Sequence, residues 1–130
     1  IIVPSFNCNI ILFFFFALFK FIYFSEKLFF IENNVTLSSN VVLGGNVHIM
    51  KNSTLGIKTV IHQNQVVGSY SMIGMGSIVT KKIELKPGYI FYGKPVKKVK
   101  KNIIALNKYK INYKILKKEL NRFKKIRKSQ

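Results

Sequence analysis

The chain has 130 residues, with 22 Lys and Arg against four acids, for a net charge of +18. A single cysteine, Cys8, excludes an intramolecular disulfide framework and a cysteine zinc cluster. The acids stand scattered at 26, 32, 84 and 119, which excludes two-carboxylate glycosidase chemistry, and no Walker loop is present.

Residues 10–24 are almost wholly apolar, with Phe13 to Phe16 in a run and Lys20 inside. The uninterrupted part, 10–19, is about half of the ~20 residues a spanning helix needs. A mid-membrane Lys would cost on the order of 3 kcal/mol. No small-residue cleavage site follows, which argues against a signal peptide. Residues 1–30 therefore form an anomalous apolar segment that begins on Ile1 rather than Met. One reading is a fragment or a misframed stretch of AT-rich DNA; the other is a membrane anchor.

From residue 31 to residue 86 the pattern changes. Nine aliphatic residues stand six apart: Ile31, Leu37, Leu43, Ile49, Leu55, Ile61, Val67, Ile73 and Val79. Helices repeat at about 3.6 residues and strands at 2, so neither sustains a period of six. A short strand followed by a corner does, and stacking such units gives a parallel β-helix of hexapeptide rungs. Two residues before the aliphatic stand Val35, Val41, Val47, Ser53, Thr59, Gln65, Ser71 and Ser77, mostly small or β-branched. Residues two apart share a strand face, so each rung points one large and one small residue inward. Three residues after the aliphatic come Asn34, Asn40, Asn46, Asn52, Asn64 and Gly76. Asn and Gly tolerate the positive φ that a tight corner demands. Leu43, Ile49, Leu55, Ile61 and Val67 are the predicted buried column.

Residues 87–130 form a closing loop and a basic extension. Residues 81–130 hold 18 of the 22 Lys and Arg with only Glu84 and Glu119, a local charge of +16. Ile111, Ile115, Leu116, Leu120, Phe123 and Ile126 fall near helical spacing, which predicts an amphipathic helix over 112–127 after a shorter one near 102–109. The bland reading is a packing helix with a Lys-rich outer face. The functional one is attraction of an anionic partner.

Val35-Thr-Leu-Ser-Ser-Asn, Val41-Val-Leu-Gly-Gly-Asn, Ser71-Met-Ile-Gly-Met-Gly and Ser77-Ile-Val-Thr resemble rungs of the left-handed β-helix acyltransferases. Pro87 and Gly93-Lys-Pro95-Val-Lys97 are similar to that family's closing motif, usually Gly-Asn-Pro-Ala-Lys, from which Lys94 and Val96 depart. Val60-Ile-His62-Gln63 and Asn102-Ile-Ile-Ala-Leu106 resemble the UDP-N-acetylglucosamine acyltransferases of lipid A synthesis. Sialic acid and bacillosamine-type sugar acetyltransferases share the rungs equally well. The resemblance covers residues 31–106. It implies an all-β, left-handed parallel β-helix of three coils with a short C-terminal basic helical extension. The handedness comes from the resemblance alone, because strand physics favours right-handed crossovers.

The resemblance also implies a cytoplasmic homotrimer in lipopolysaccharide or surface polysaccharide biosynthesis. Its activity would be transfer of an acetyl or longer acyl group to a sugar or sugar nucleotide. The donor would be acyl-CoA or acyl carrier protein (acyl-ACP), with no metal; a zinc hydratase on this fold would need three histidines, and the chain has two. The anionic partner of the basic tail would then be acyl carrier protein, coenzyme A phosphates or a membrane surface. Residues 10–24 offer a second route to membrane association. Nucleic acid binding has no reading motif to support it.

The family's base lies in a His-Asx-Cys-x-Ile rung. Here Phe6-Asn7-Cys8-Asn9-Ile10 resembles it, with Phe6, which cannot accept a proton, in place of the histidine. The alternative function is therefore an inactive or truncated β-helix serving as a structural or binding subunit. His62, Gln63 and Asn64 are the candidate substrate contacts, since the lipid A branch binds substrate through a matching His-Gln pair. His62 is also the catalytic base by default. Gly74 and Gly76 are candidate acyl-donor contacts. His48, one residue before an inward aliphatic, is expected on the solvated surface.

Overall fold

The computed structural model describes residues 29–130. Nine two-residue strands follow the six-residue period. They are β1 (Phe30–Ile31), β2 (Thr36–Leu37), β3 (Val42–Leu43), β4 (His48–Ile49), β5 (Thr54–Leu55), β6 (Val60–Ile61), β7 (Val66–Val67), β8 (Met72–Ile73) and β9 (Ile78–Val79). They sort into three parallel sheets. Face one holds β1, β4 and β7, face two begins β2, β5, β8, and face three holds β3, β6 and β9. Each strand pairs with the one a full coil later, as in Thr36↔Thr54, Val42↔Val60 and His48↔Val66. This is a parallel β-solenoid of three coils with a triangular section.

The interior follows the two predicted columns. Ile49, Leu55, Ile61, Val67, Ile73 and Val79 are buried, and so are Val47, Ser53, Thr59, Gln65, Ser71 and Ser77 beside them. Leu43 is the exception to the predicted column. With Ile31 and Leu37 it is only partly buried, because these three belong to the first described coil and are stacked on one side only. The buried hydroxyls are satisfied locally. Ser53 Oγ donates to the Met50 carbonyl at 2.7 Å, Thr59 Oγ1 to Gly56 at 2.7 Å and Ser71 Oγ to Gly68 at 2.5 Å. Left unpaired, each would cost about 1–3 kcal/mol.

The corners explain the asparagines. Asn34, Asn40, Asn46, Asn52 and Asn64 all have φ between +56° and +59°, and Gly76 has +65°. Lys58 and Tyr70 adopt the same conformation in two rungs that lack Asn or Gly there, at +57° and +60°. Gly44 is needed for a different reason. A Cβ on it would lie 2.4 Å from the backbone nitrogen of Gln63 in the coil above.

The solenoid continues past its ninth rung. Leu85 bridges to Val67 on face one, and β10 (Tyr89–Gly93) adds to face two beside β8. Where a closing loop is expected, the chain instead turns back as β11 (Val96–Lys101), antiparallel to β10 and at the end of face two. Lys97, Lys98, Lys100 and Lys101 are exposed on it. An outer strand carrying four lysines resists pairing with a further strand.

Two helices follow. In α1 (Ile103–Lys108) the Asn102 side chain caps the N-terminus by accepting from the Ala105 N–H, and in α2 (Tyr113–Lys128) Asn112 caps Ile115 in the same way. Phe123 of α2 is buried against Met50 and Val66, with Leu120 and Ile126 alongside, so α2 covers face one. Face three has no such cover among the described residues: its outward residues Val42, Val60 and Ile78 are all exposed.

Candidate functional site

The triangular section has three edges, and the candidate residues lie on two of them. His62, Gln63 and Asn64 form the corner between face three and face one, and all three are exposed. His62 Nδ1 lies 3.0 Å from the Gln63 carbonyl oxygen. A carbonyl only accepts, so Nδ1 is the donor in this contact, and Nε2 makes no hydrogen bond among the described residues. Asn64 Oδ1 accepts from Asn46 Nδ2 at 3.0 Å, tying this corner to the one below. The close approach of Gly44 to Gln63 sets its height.

Gly74 and Gly76 lie at the edge between faces two and three. Both backbone N–H groups are used by the fold: Gly74 donates to Phe91 at 2.8 Å and Gly76 to Ile57 at 2.7 Å. Gly74 fits beneath a ring, since a Cβ there would come within 2.5 Å of Tyr92 Cδ2. Tyr92 is itself 58% exposed, Met75 is 65% exposed, and the Lys94 side chain passes Gly76. An exposed aromatic ring and an ammonium thus flank the two glycines. Sequence reasoning placed Lys94 only within a closing motif and missed Tyr92, although Leu85 and Phe91 continue the six-residue spacing and Tyr92 follows Phe91 as Gly74 follows Ile73 one coil earlier.

The acceptor and donor candidates are on different edges. Face three lies between them, so one chain does not bring them into a single pocket.

The third edge, between faces one and two, holds a charged cleft of about 480 Å³ lined by Glu32, Asn33, Lys51, Lys118, Glu119 and Arg122. Arg122 grips Glu32 through two hydrogen bonds of 2.6 and 2.8 Å, and the Lys51 N–H adds a third at 3.1 Å. His48 Nε2 lies 2.7 Å from the same carboxylate. Burial alone would raise the Glu32 pKa, but His48, Arg122 and Lys51 together hold it down to about 2. Glu119 is likewise raised by burial and lowered on balance by its bonds from Ser69 at 2.6 Å and Lys51 at 2.9 Å. His48 is therefore not the solvated residue expected. It does point away from the core, but Phe30 stacks on its ring at 5.7 Å and its side chain is only 17% exposed. This cleft fastens α2 to the rungs. Among the described residues no three of His, Cys, Asp and Glu converge as metal ligands would.

No protein-family model matches the chain, and no curated protein does. Solved structures do match. The UDP-N-acetylglucosamine acyltransferase of Arabidopsis superposes with a TM-score of 0.61 at 22% identity, over 68% of this chain and 30% of that one. LpxA from Acinetobacter baumannii gives 0.61 at 24% identity, over 74% of this chain and 36% of that one. The fold is the hexapeptide-repeat β-helix. A third such structure is a variant of AntD, an N-acyltransferase from Bacillus cereus, in complex with dTDP-4-amino-4,6-dideoxyglucose and coenzyme A. It gives a TM-score of 0.51 at 21% identity, over 64% of this chain and 57% of that one. The chain spans about a third of the length of the first two hexapeptide β-helices. Residues 6–10, where the base-bearing rung would stand, lie outside the described residues.

Proposed function

We propose that this chain belongs to an acyltransferase that moves an acetyl or longer acyl group from coenzyme A or acyl carrier protein to a sugar or sugar nucleotide. The observation that carries the reading is the distribution of candidates over two edges of a hexapeptide β-helix, with an uncovered apolar face between them. In a homotrimer, face three of one copy would be buried and the His62 edge would meet a neighbour's Gly74–Gly76 edge. The chemistry is attack of a sugar hydroxyl or amine on the thioester carbonyl, with departure of the thiolate. His62 Nε2 has no hydrogen-bond partner among the described residues and stands at an exposed corner, suited to hold the nucleophile's proton or to position the acceptor. Tyr92 and Lys94 offer a stacking surface and a cation to a nucleotide-bearing donor. The reaction belongs in the cytoplasm, where such thioesters are available. Among the described residues no helix is long and apolar enough to cross a membrane.

The test is thiol release from acyl-CoA or acyl carrier protein in the presence of sugar nucleotides, comparing the chain with its His62→Ala variant. Acceptor positioning predicts a loss mainly through a raised KM, whereas a general base predicts a fall in turnover of ~10²–10⁴. We favour positioning. A variant with unaltered kinetics would remove His62 from the site. The second reading, a non-catalytic β-helix subunit, is favoured by Phe6 in place of the family's histidine. Absence of turnover with every donor and acceptor, in a protein that still binds a sugar nucleotide, would establish it.

A further inference from the structure

We propose that the C-terminal cap docks this protein on an anionic lipid surface. Residues 85–118 contain eleven lysines, no acidic residue and no arginine. Among the described residues, this segment also carries the most exposed aliphatic side chain of the molecule. Ile104 is 81% exposed and Ile103 61%, both in the first turn of α1, and Val99 is 57% exposed in β11. Tyr113, opening α2, is 77% exposed. The two helix starts are neighbours. Leu106 of α1 and Leu116 of α2 both converge on Gly88, with methyl carbons 3.5 and 3.0 Å from the position a Cβ would take there. Ile103 stands one turn before Leu106, and Tyr113 one turn before Leu116. Aliphatic and aromatic tips are therefore exposed at the starts of both helices, with Ile104 on the side of α1 turned away from Leu106, and lysines flank them on both sides in sequence.

That combination selects the partner. Protein interfaces are depleted in Lys and enriched in Arg, and bidentate recognition of carboxylate or phosphate calls for Arg. A lysine field with aliphatic tips suits an array of lipid headgroups, where each Lys near the surface strengthens binding about fivefold. The tips enter the headgroup boundary while the Lys stems lie along the surface. Neither signal alone holds a protein firmly; the cap supplies both.

The chain contains no tryptophan, so Ile104→Trp places a unique reporter at the tip. The full-length variant is mixed with phosphatidylcholine vesicles containing about 30% phosphatidylglycerol, or none, since anionic lipid is the stated partner. The expected result is co-sedimentation with the anionic vesicles, a blue-shifted emission there, and release as salt is raised from low to ~1 M. Ile103→Ser/Ile104→Ser should weaken this binding at least about tenfold. Three results would overturn the proposal. One is emission unchanged on sedimented protein, which would assign binding to residues 1–28. Another is equal binding to neutral and anionic vesicles. The last is capture by an acidic acyl carrier protein with no binding to vesicles.

Discussion

Lys58 holds φ at +57° in the column where Asn40 and Gly76 hold +59° and +65°. In that conformation its Cβ crowds the next carbonyl, at a cost of about 1–2 kcal/mol that Asn partly offsets by bonding locally. Lys58 is exposed, so nothing else is lost on replacement. Lys58→Asn should stabilise the protein by about 1 kcal/mol, read as a raised urea midpoint at unchanged slope. Inside the coil the opposite holds. Ile49 is fully buried, and Ile49→Ala should destabilise by ~2–5 kcal/mol through lost transfer energy and a cavity. A neutral result in a denaturant melt would show that the register is wrong. Both columns were legible in the sequence because each recurs every six residues. Glu32 was not. Its partner Arg122 stands 90 residues away, and no local pattern announces a pair that forms only when a helix docks.

At the scale of elements, the docking of α2 rests on Phe123 in its pocket and on the carboxylates of Glu32 and Glu119. Both carboxylates have folded pKa values below the usual 4.5, with Glu32 at about 2. A group depressed on folding contributes stability that is present above its ordinary pKa and is lost as pH falls through the folded one. The Glu32 contribution should therefore be complete above about pH 5 and disappear towards pH 2, with an amplitude on the order of 3 kcal/mol. Glu32→Gln should lower stability at neutral pH and flatten this acid limb, as followed by thermal melts across that range. The helices themselves were readable from their apolar spacing and Asn caps. The strand β10 could have been read, since Leu85 and Phe91 continue the six-residue column; the return strand β11 could not, because Val96–Lys101 runs back off that column with no turn dipeptide of hairpin type before it. Tyr92 lies above Gly74 by the same register, one residue after Phe91, whereas Lys94 is carried there by the turn into β11.

For the whole molecule, the open question is what lies against face three. Val42, Val60 and Ile78 form an outward ladder, and Ile57 and Met75 extend it onto the adjacent edge. If copies assemble there, Val60→Lys should shift the protein to smaller species in sedimentation velocity without changing its melting temperature as a monomer. A variant with the same sedimentation profile as the parent would place the assembly surface elsewhere. His62 was legible as an edge residue because it interrupts a column of small corners. That the donor candidates sit on another edge could be seen only once the coil was closed.

β11 has a further consequence. Identical rungs contain no instruction about how many to make, since each new one presents the same template as the last. In this chain, repetition and termination are separate: the rungs propagate, and one lysine-rich strand running the other way stops them. The coil count is therefore a free variable. An added block of eighteen residues, the spacing that separates Thr36 from Thr54 and Thr54 from Met72, would lengthen the prism by one storey and move the roof up intact. Placed between His62 and Leu85, the block would move the end strand β11 away from the His62 corner by one strand spacing, about 4.8 Å. Such insertions would work as a molecular ruler, setting the separation between the His62 corner and the lysine-rich end in equal steps.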